Sequence, residues 1–165
     1  HVHFMDPGFT HRETFETGSC SAAAGGLTTV VDMPCCSIPS VRDLASLFNK
    51  KEIIEKQSYI DFGLWGGITG EDVRSGQLAN VEKQAEEGVI GFKAYMTPSV
   101  PSYPKANDAE LLEIFSYSFV INNVFIFSGS IHSSRWRVGE GTITARAEKS
   151  TLLANIAALS RPFRP

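Results

Sequence analysis

The chain has 165 residues, of which 42% are hydrophobic and 20% are charged, and its net charge is −3. This composition is ordinary for a globular domain with a sizeable core, and it gives no indication of a nucleic-acid or membrane-surface partner. Three cysteines, two of them adjacent, do not form the even pattern of a disulfide framework, so we expect a reducing, cytoplasmic compartment. No apolar run reaches the length of a membrane span.

Strand-like and helix-like patterns alternate along the first part of the chain. Runs of β-branched and apolar residues indicate strands, and apolar residues at helical spacing indicate helices. In chain order we predict a strand at 1–4, a helix at 10–25, a strand at 27–33, a helix at 40–57, a strand at 59–67, a helix at 80–88, a strand at 89–96, a helix at 107–115 and a strand at 119–127.

This alternation predicts an α/β fold with a parallel sheet and helical crossovers. Two architectures are compatible with it: an open doubly wound sheet, or part of a (β/α)8 barrel. No G-x-G-x-x-G motif lies between the first strand and its helix, so a dinucleotide-binding fold has little support. We predict a partial barrel over residues 1–127 and a divergent tail of unclear structure over residues 128–165, where the periodicity is weak.

His1 and His3 flank a single valine in the first predicted strand. Side chains two residues apart on a strand point to the same side, so the two imidazoles can converge on one metal ion. In parallel α/β folds such sites lie at the carboxyl ends of the strands. A tag remnant or two chance surface histidines would give the same spacing, and this alternative stays open.

Lys93 lies inside an apolar strand, between Phe92 and Ala94. A buried ammonium is expensive to desolvate, and burial lowers the pKa of the amine and favours its neutral, nucleophilic form. Such an amine can react with CO2 to give a carbamate, which is an anionic ligand with two oxygens. The alternative is a lysine that extends from the strand end to solvent.

Three stretches together resemble the cyclic amidohydrolases, the family of dihydroorotase, allantoinase and hydantoinase. They are "HVHFMDPGFTHRETFETGSCSAAAGGLTTVVDMP", "DFGLWGG" and "GVIGFKAYM". The resemblance covers about the first 115 residues and corresponds to the N-terminal part of the family's barrel domain.

The resemblance implies a (β/α)8 barrel, present in this chain as about its first five strands, with two divalent metal ions, usually zinc. By this resemblance His1 and His3 bind the more buried ion, and Lys93, as its carbamate, bridges both ions. The implied reaction is attack of a metal-activated hydroxide on a ring amide carbonyl of a small cyclic amide or ureide.

The chain departs from the family pattern after the fifth predicted strand. The family carries a histidine at the end of that strand, and His132 lies a few residues late, as a displaced ligand or a coincidence. The strand-eight aspartate, which serves as ligand and general base in the family, has no counterpart, so no catalytic residue is assigned. The tail is either a divergent ending or the product of a reading-frame change.

Predicted substrate contacts also differ from those of the family. Met5 takes the position where dihydroorotases carry an arginine, and Cys35 and Cys36 take the positions of the substrate-contacting asparagine in dihydroorotases and allantoinases. The two cysteines could equally be small apolar loop residues. Substrate identity within the cyclic amides therefore stays open.

A second function remains compatible with these departures: a catalytically incompetent, truncated barrel that acts as a scaffold or assembly subunit. Open strand edges favour pairing with another chain, so we expect a homo-oligomer in either case. We expect neither a nucleic-acid nor a membrane partner.

Overall fold

The structure, a computed structural model, describes residues 1–120, 125–128 and 144–145. The predicted site residue His132 and most of the predicted tail lie outside these residues. The described elements are α1 (Phe15–Ala24), β1 (Thr29–Asp32), α2 (Leu44–Ile54), β2 (Asp61–Leu64), β3 (Gly66–Gly67), α3 (Gly70–Arg74), α4 (Ala79–Glu86), β4 (Phe92–Tyr95), α5 (Asp108–Val120), β5 (Phe125–Ser128) and β6 (Thr144–Ala145).

The strands form an open, mostly parallel array. β1 pairs with β2 in parallel, and β3, β4 and β5 form a second parallel group, to which β6 adds an antiparallel edge. The predicted α/β class is confirmed. The part of the chain that the structure describes forms a partial array without a closed barrel.

The single strand predicted at 59–67 is divided at Trp65. Trp65 N bonds to Asp32 O at 2.9 Å, on the β1 side, whereas Leu64 O accepts from Ile90 N at 2.9 Å and Gly66 N bonds to Gly91 O at 2.8 Å, on the β4 side. Because one continuous segment bonds to both neighbours, β2 and β3 together connect the two strand groups.

Four of the described helix starts have side-chain caps that fix where each helix begins. In each case the capping oxygen accepts a hydrogen bond from a backbone N–H of the first turn, which would otherwise be unpaired. This explains why α1 begins at Phe15 instead of near residue 10. The capping residues are Thr14, Asp43, Thr69 and Asn107.

Two helices differ from the sequence-based prediction. The short helix α3 was not predicted, because its five residues have no apolar periodicity. The helix α5 continues to Val120, into residues predicted as the fifth strand, and β5 is correspondingly shorter. A continuous apolar and aromatic run does not by itself distinguish helix from strand.

The core lies between the strands and the helices that cover them. Burial of these apolar side chains is the main favourable contribution to folding. No helix in the described ranges is both long and apolar enough to cross a lipid bilayer. The most deeply buried core side chains include Phe15, Val41, Leu47, Ile54, Ile68, Phe92 and Ile114.

Candidate metal centre

The first residues of the chain are fixed to the end of β1 by Val2. Val2 N donates to Val31 O at 2.9 Å, and Met33 N donates to Val2 O at 3.1 Å, so Val2 pairs with Asp32 as an isolated parallel bridge. The predicted first strand is thus reduced to one bridging residue. Its neighbours on both sides, His1 and His3, project away from the Val2 side chain.

The imidazole rings of His1 and His3 are in contact. Their Nε2 atoms lie 3.1 Å apart and their ring centres 5.0 Å apart. His1 is exposed and His3 is half-buried. Zinc bonds imidazole nitrogen at about 2.0–2.1 Å, so both Nε2 atoms can reach one ion at this separation. The structure therefore brings the two histidines together, and their role as ligands stays a prediction.

A buried ion pair holds the backbone next to His3. Asp32 Oδ1 accepts a hydrogen bond from Phe4 N at 2.8 Å, and Asp32 Oδ2 contacts Lys50 Nζ from α2. That contact lacks regular hydrogen-bond geometry, and Oδ2 has no other partner among the described residues. Burial raises the pKa of Asp32, and the charge of Lys50 opposes this effect. The pair fixes the chain direction immediately after the H-x-H sequence.

Cys35 and Cys36 lie in the loop that follows β1, beside His3. Cys35 Sγ is 3.8 Å from His3 Nδ1, 3.4 Å from Cys36 Sγ and 2.9 Å from the Tyr95 hydroxyl. Cys35 is fully buried, whereas Cys36 is half-buried. Of the two predicted substrate contacts in this loop, only Cys36 is partly open to solvent.

The two thiols affect each other's ionisation. A hydrogen bond from Cys36 lowers the pKa of Cys35 despite burial, and His3 and Tyr95 lower it further. The same hydrogen bond raises the pKa of Cys36, together with burial. The adjacent pair therefore favours a single thiolate, held on Cys35, when no ligand is bound.

Lys93 lies in β4 with 3% of its surface exposed. Its Nζ lies 5.0 Å from the centre of the Tyr95 ring, and within the described part of the chain it forms neither an ion pair nor a side-chain hydrogen bond. Burial lowers the pKa of the Lys93 amine, and the electrostatic effect of the cysteine pair, Cys35 first, opposes that change. These conditions favour the neutral amine that a carbamate requires.

Tyr103 fixes the backbone of Lys93 from a loop ten residues away. Its hydroxyl donates to Lys93 O at 2.5 Å and accepts from Ile68 N at 3.0 Å. The Tyr103 side chain is fully buried and meets the Tyr95 ring edge-on, with ring centres 5.5 Å apart. One hydroxyl thus joins β4 to the residues that follow β3.

Tyr103→Phe is expected to destabilise the chain by about 0.5–1.5 kcal/mol, because the hydroxyl hydrogen bonds are lost while Ile68 N still donates to Lys93 O at 3.2 Å. Urea unfolding measures this difference. The control is Tyr59→Phe, whose side chain is 64% exposed, and its effect is expected to stay within about 0.5 kcal/mol. Equal midpoints for Tyr103→Phe and the unmodified chain would contradict the role assigned to this hydroxyl.

The predicted site residues fall into three groups. His1, His3, Cys35 and Cys36 form one contact cluster, and Lys93 lies near the two cysteines. Met5 follows the histidines and is half-buried, without a side-chain contact that assigns it a role. Sequence reasoning missed Lys50, Tyr95 and Tyr103. Tyr95 had a local signal, because it lies two residues after Lys93 and therefore on the same strand face. Lys50 had one as well, because its spacing from Leu47 and Ile54 places it on the apolar face of its helix.

Known proteins match this chain in sequence and in structure. It is 44% identical over 114 residues to an allantoinase of Solibacter usitatus, covering 68% of this chain and 24% of that protein. It is 44% identical over 95 residues to a dihydroorotase of Methanosarcina mazei, and this match covers 58% of this chain and 19% of that protein. The solved L-hydantoinase (dihydropyrimidinase) from Arthrobacter aurescens matches with a TM-score of 0.71 and 34% identity, covering 78% of this chain and 28% of that chain.

These matches decide the family but cover only part of the proteins concerned. No protein-family model matches the chain. The chain spans about a quarter of the length of the curated relatives that it matches. Sequence relatives and the structural neighbour nevertheless agree with the resemblance read from the motifs. Over the part that these relatives match, the chain belongs to the cyclic amidohydrolase family, which includes allantoinases, dihydroorotases and hydantoinases.

Proposed function

We propose that the chain is part of a metal-dependent hydrolase that opens the ring of a small cyclic amide or ureide. The observation that supports this most directly is the 3.1 Å separation of the Nε2 atoms of His1 and His3. The allantoinase and hydantoinase relatives support the same class of reaction. The proposed whole-protein fold is a (β/α)8 barrel, to which this chain contributes about five strands, and homo-oligomerisation stays a prediction.

The residues present fit the ligands expected for two divalent ions, with zinc as the first candidate. His1 and His3 would bind one ion through their Nε2 atoms, and Lys93 would bridge both ions as a carbamate. When bound, the ions would act as Lewis acids on the ring carbonyl and lower the pKa of water. Further ligands would come from residues outside the described ranges, and His132 is a candidate among them.

The surroundings of Lys93 favour its conversion into a carbamate. The burial that lowers its pKa leaves the nitrogen lone pair free to form a bond to the carbon of CO2, with loss of one proton. The Tyr95 ring lies beside the amine, and Tyr103 holds the Lys93 carbonyl. Together they restrict where the resulting carboxylate can point, since a ligand must be held in a fixed direction.

Substrate contact is proposed for Met5 and for the loop that carries Cys35 and Cys36. Cys36 would contact the ring directly, because its side chain is partly open. Cys35 would act by positioning its neighbours, because it is fully buried. An apolar Met5 side chain cannot pair with a substrate carboxylate, which favours neutral rings such as allantoin or a hydantoin over dihydroorotate.

The proposal is tested on the whole chain after incubation with Zn²⁺ and ¹³C-labelled bicarbonate. We expect retained zinc, a carbamate carbon signal by NMR, and ring opening of allantoin or a hydantoin. Lys93→Met should remove the carbamate signal, whereas Lys83→Met should leave it unchanged, because Lys83 is exposed on α4. Absence of retained zinc and of the carbamate signal would overturn the proposal. Zinc and carbamate without ring opening would favour the scaffold alternative.

A further inference from the structure

Three metal-binding side chains converge on one point beside the predicted histidine pair. One ligand atom from each of His3, Cys35 and Cys36 lies within 4.8 Å of the other two. This is a group of one imidazole and two thiols, a donor set that favours borderline-soft and soft metal ions. The cyclic amide hydrolase proposal does not use the two sulfur atoms as ligands.

The distances match those of atoms that share one zinc ion. Two thiolates bound tetrahedrally at about 2.3 Å from zinc lie ~3.8 Å apart, and a thiolate and an imidazole nitrogen lie ~3.6 Å apart. The observed separations are 3.4 Å between Cys35 Sγ and Cys36 Sγ, and 3.8 Å between Cys35 Sγ and His3 Nδ1. These two separations differ from the zinc values by only a few tenths of an ångström. The third pair, Cys36 Sγ and the His3 ring, lies within 4.8 Å, and rotation of the half-buried Cys36 side chain would close the remaining gap.

The two ring nitrogens of His3 point to different groups. Nε2 lies 3.1 Å from His1 Nε2, and Nδ1 lies 3.8 Å from Cys35 Sγ. Binding of a metal at the sulfur atoms would use Nδ1, the nitrogen that does not face His1. Because a neutral imidazole has one lone pair, metal ions could occupy both nitrogens at once only if the ring also loses its N–H proton. His1 takes no part in the sulfur cluster, so the two sites can be separated by mutation.

The loop that carries the cysteines is held in place before any ligand binds. Val41 N donates to Pro34 O at 3.0 Å, and Ser40 Oγ donates to Cys35 O at 3.3 Å. The Tyr95 hydroxyl lies 2.9 Å from Cys35 Sγ and can donate to a thiolate. A ligand that is already oriented by hydrogen bonds binds its metal more tightly. Two thiolates also neutralise the charge of a divalent ion, which lowers the free-energy cost of burying the complex.

We propose that His3 Nδ1, Cys35 Sγ and Cys36 Sγ bind one thiophilic metal ion, of which Zn²⁺ is the first candidate, with a fourth position open. This site would share His3 with the hydrolase proposal and would use neither His1 nor the Lys93 carbamate. Its occupation would fix the loop after β1 and hold His3 in one ring orientation.

The test uses Co²⁺ as the probe, added to the whole chain in a buffer with a phosphine reductant. Thiolate ligands give a near-ultraviolet charge-transfer band that nitrogen and oxygen ligands lack. We expect one Co²⁺ per chain with this band, about half the band intensity in Cys36→Ser, and none in the Cys35→Ser/Cys36→Ser double variant. His3→Ala should weaken Co²⁺ binding more than about 10-fold, since even an outer-shell partner is worth about that much.

Two control variants make the result specific. Cys20→Ser should leave the band unchanged, because Cys20 is exposed on α1 and lies outside the cluster. His1→Ala should also leave it unchanged. Three results would each overturn the proposal. They are a missing band in the unmodified chain, a full band in the Cys35→Ser/Cys36→Ser double variant, and a Co²⁺ affinity of His3→Ala equal to that of the unmodified chain.

Circular dichroism of each variant shows whether it folds. If the Cys35→Ser/Cys36→Ser double variant unfolds, the single variant Cys36→Ser still tests thiolate binding, because the Cys36 side chain is half-buried and tolerates a polar replacement. Failure of the sulfur site leaves the hydrolase proposal intact, since that proposal is measured by the Lys93 carbamate signal. A lost carbamate signal with a retained charge-transfer band would overturn only the hydrolase proposal.

Discussion

His3→Ala is expected to lower the zinc affinity of the chain by more than about 100-fold, because outer-shell partners of metal ligands alone are worth 10–100-fold. His3 presents one nitrogen to His1 and the other to Cys35, so its loss removes a ligand from both proposed sites. Isothermal titration with Zn²⁺ measures the affinity, and dialysis against chelators of graded strength measures retention. Ring-opening activity, where the unmodified chain has it, is expected to disappear in the same variant.

The loss of zinc affinity expected in His3→Ala has two parts, which single variants of the residues around His3 separate. His1→Ala should remove only the histidine-based binding, and Cys36→Ser should weaken only the sulfur-based binding. His11→Ala is the matched control, because His11 is exposed and its ring lies 6.5 Å, centre to centre, from that of Phe9, away from the proposed ligands. Zinc affinity in His3→Ala equal to that in His11→Ala would contradict both sites at once.

The fold is expected to survive this substitution. The chain start is held by backbone hydrogen bonds of Val2 and by the bond from Phe4 N to Asp32, and none of these uses the imidazole ring. If His3→Ala loses zinc binding but keeps its unfolding midpoint, the loss is therefore caused by the missing ligand and not by unfolding. A lowered midpoint would instead show that the ring supports the loop after β1.

The order of the strands and the pairing of His1 with His3 were predictable because both depend on local patterns. Side-chain direction alternates along any strand, so two histidines on either side of Val2 share a face before the fold is known. Runs such as residues 27–33 and 89–96 similarly indicate buried strands by composition alone. These signals require no knowledge of which distant residues come together.

The features that were not predictable depend on contacts between distant parts of the chain. The cluster of Cys35 with His3 joins residues 32 positions apart, and the Tyr103 contact with Lys93 is made from an irregular loop. The division of one strand at Trp65 depends on hydrogen bonds to two different neighbours. Lys50 lies three residues after Leu47 and four before Ile54, on the apolar face of its helix, but nothing in the sequence identifies Asp32, 18 positions earlier, as its partner.

Lys50→Met is expected to destabilise the chain by about 3–5 kcal/mol, because it leaves the Asp32 carboxylate buried without its partner. Both side chains are fully buried, and Lys50 Nζ also donates to Met33 O at 3.3 Å. Such a loss is a large part of the free energy of unfolding of a domain, which is commonly about 5–15 kcal/mol. Urea unfolding, followed by circular dichroism, measures it.

The matched control is Lys51→Met on the same helix. The Lys51 side chain is about half exposed and lies 3.8 Å from Glu55, so its loss should cost no more than about 0.5 kcal/mol. The double variant Asp32→Asn/Lys50→Met should recover part of the lost stability. Asparagine keeps the oxygen that accepts from Phe4 N and carries no charge to desolvate.

The pH dependence of Lys50→Met distinguishes a stranded charge from a packing defect. Burial already raises the pKa of Asp32, and removal of Lys50 takes away the main opposing effect, so the pKa rises further. Between the unfolded and folded pKa values, the native state then binds more protons than the unfolded state, and stability falls as pH rises. The deficit should therefore be larger at about pH 8 than at about pH 5, where the carboxyl group is more often neutral. A deficit of the same size at both pH values would mean that Lys50 stabilises β1 through the packing of its methylene groups, and that the charge of Asp32 is screened or paired elsewhere.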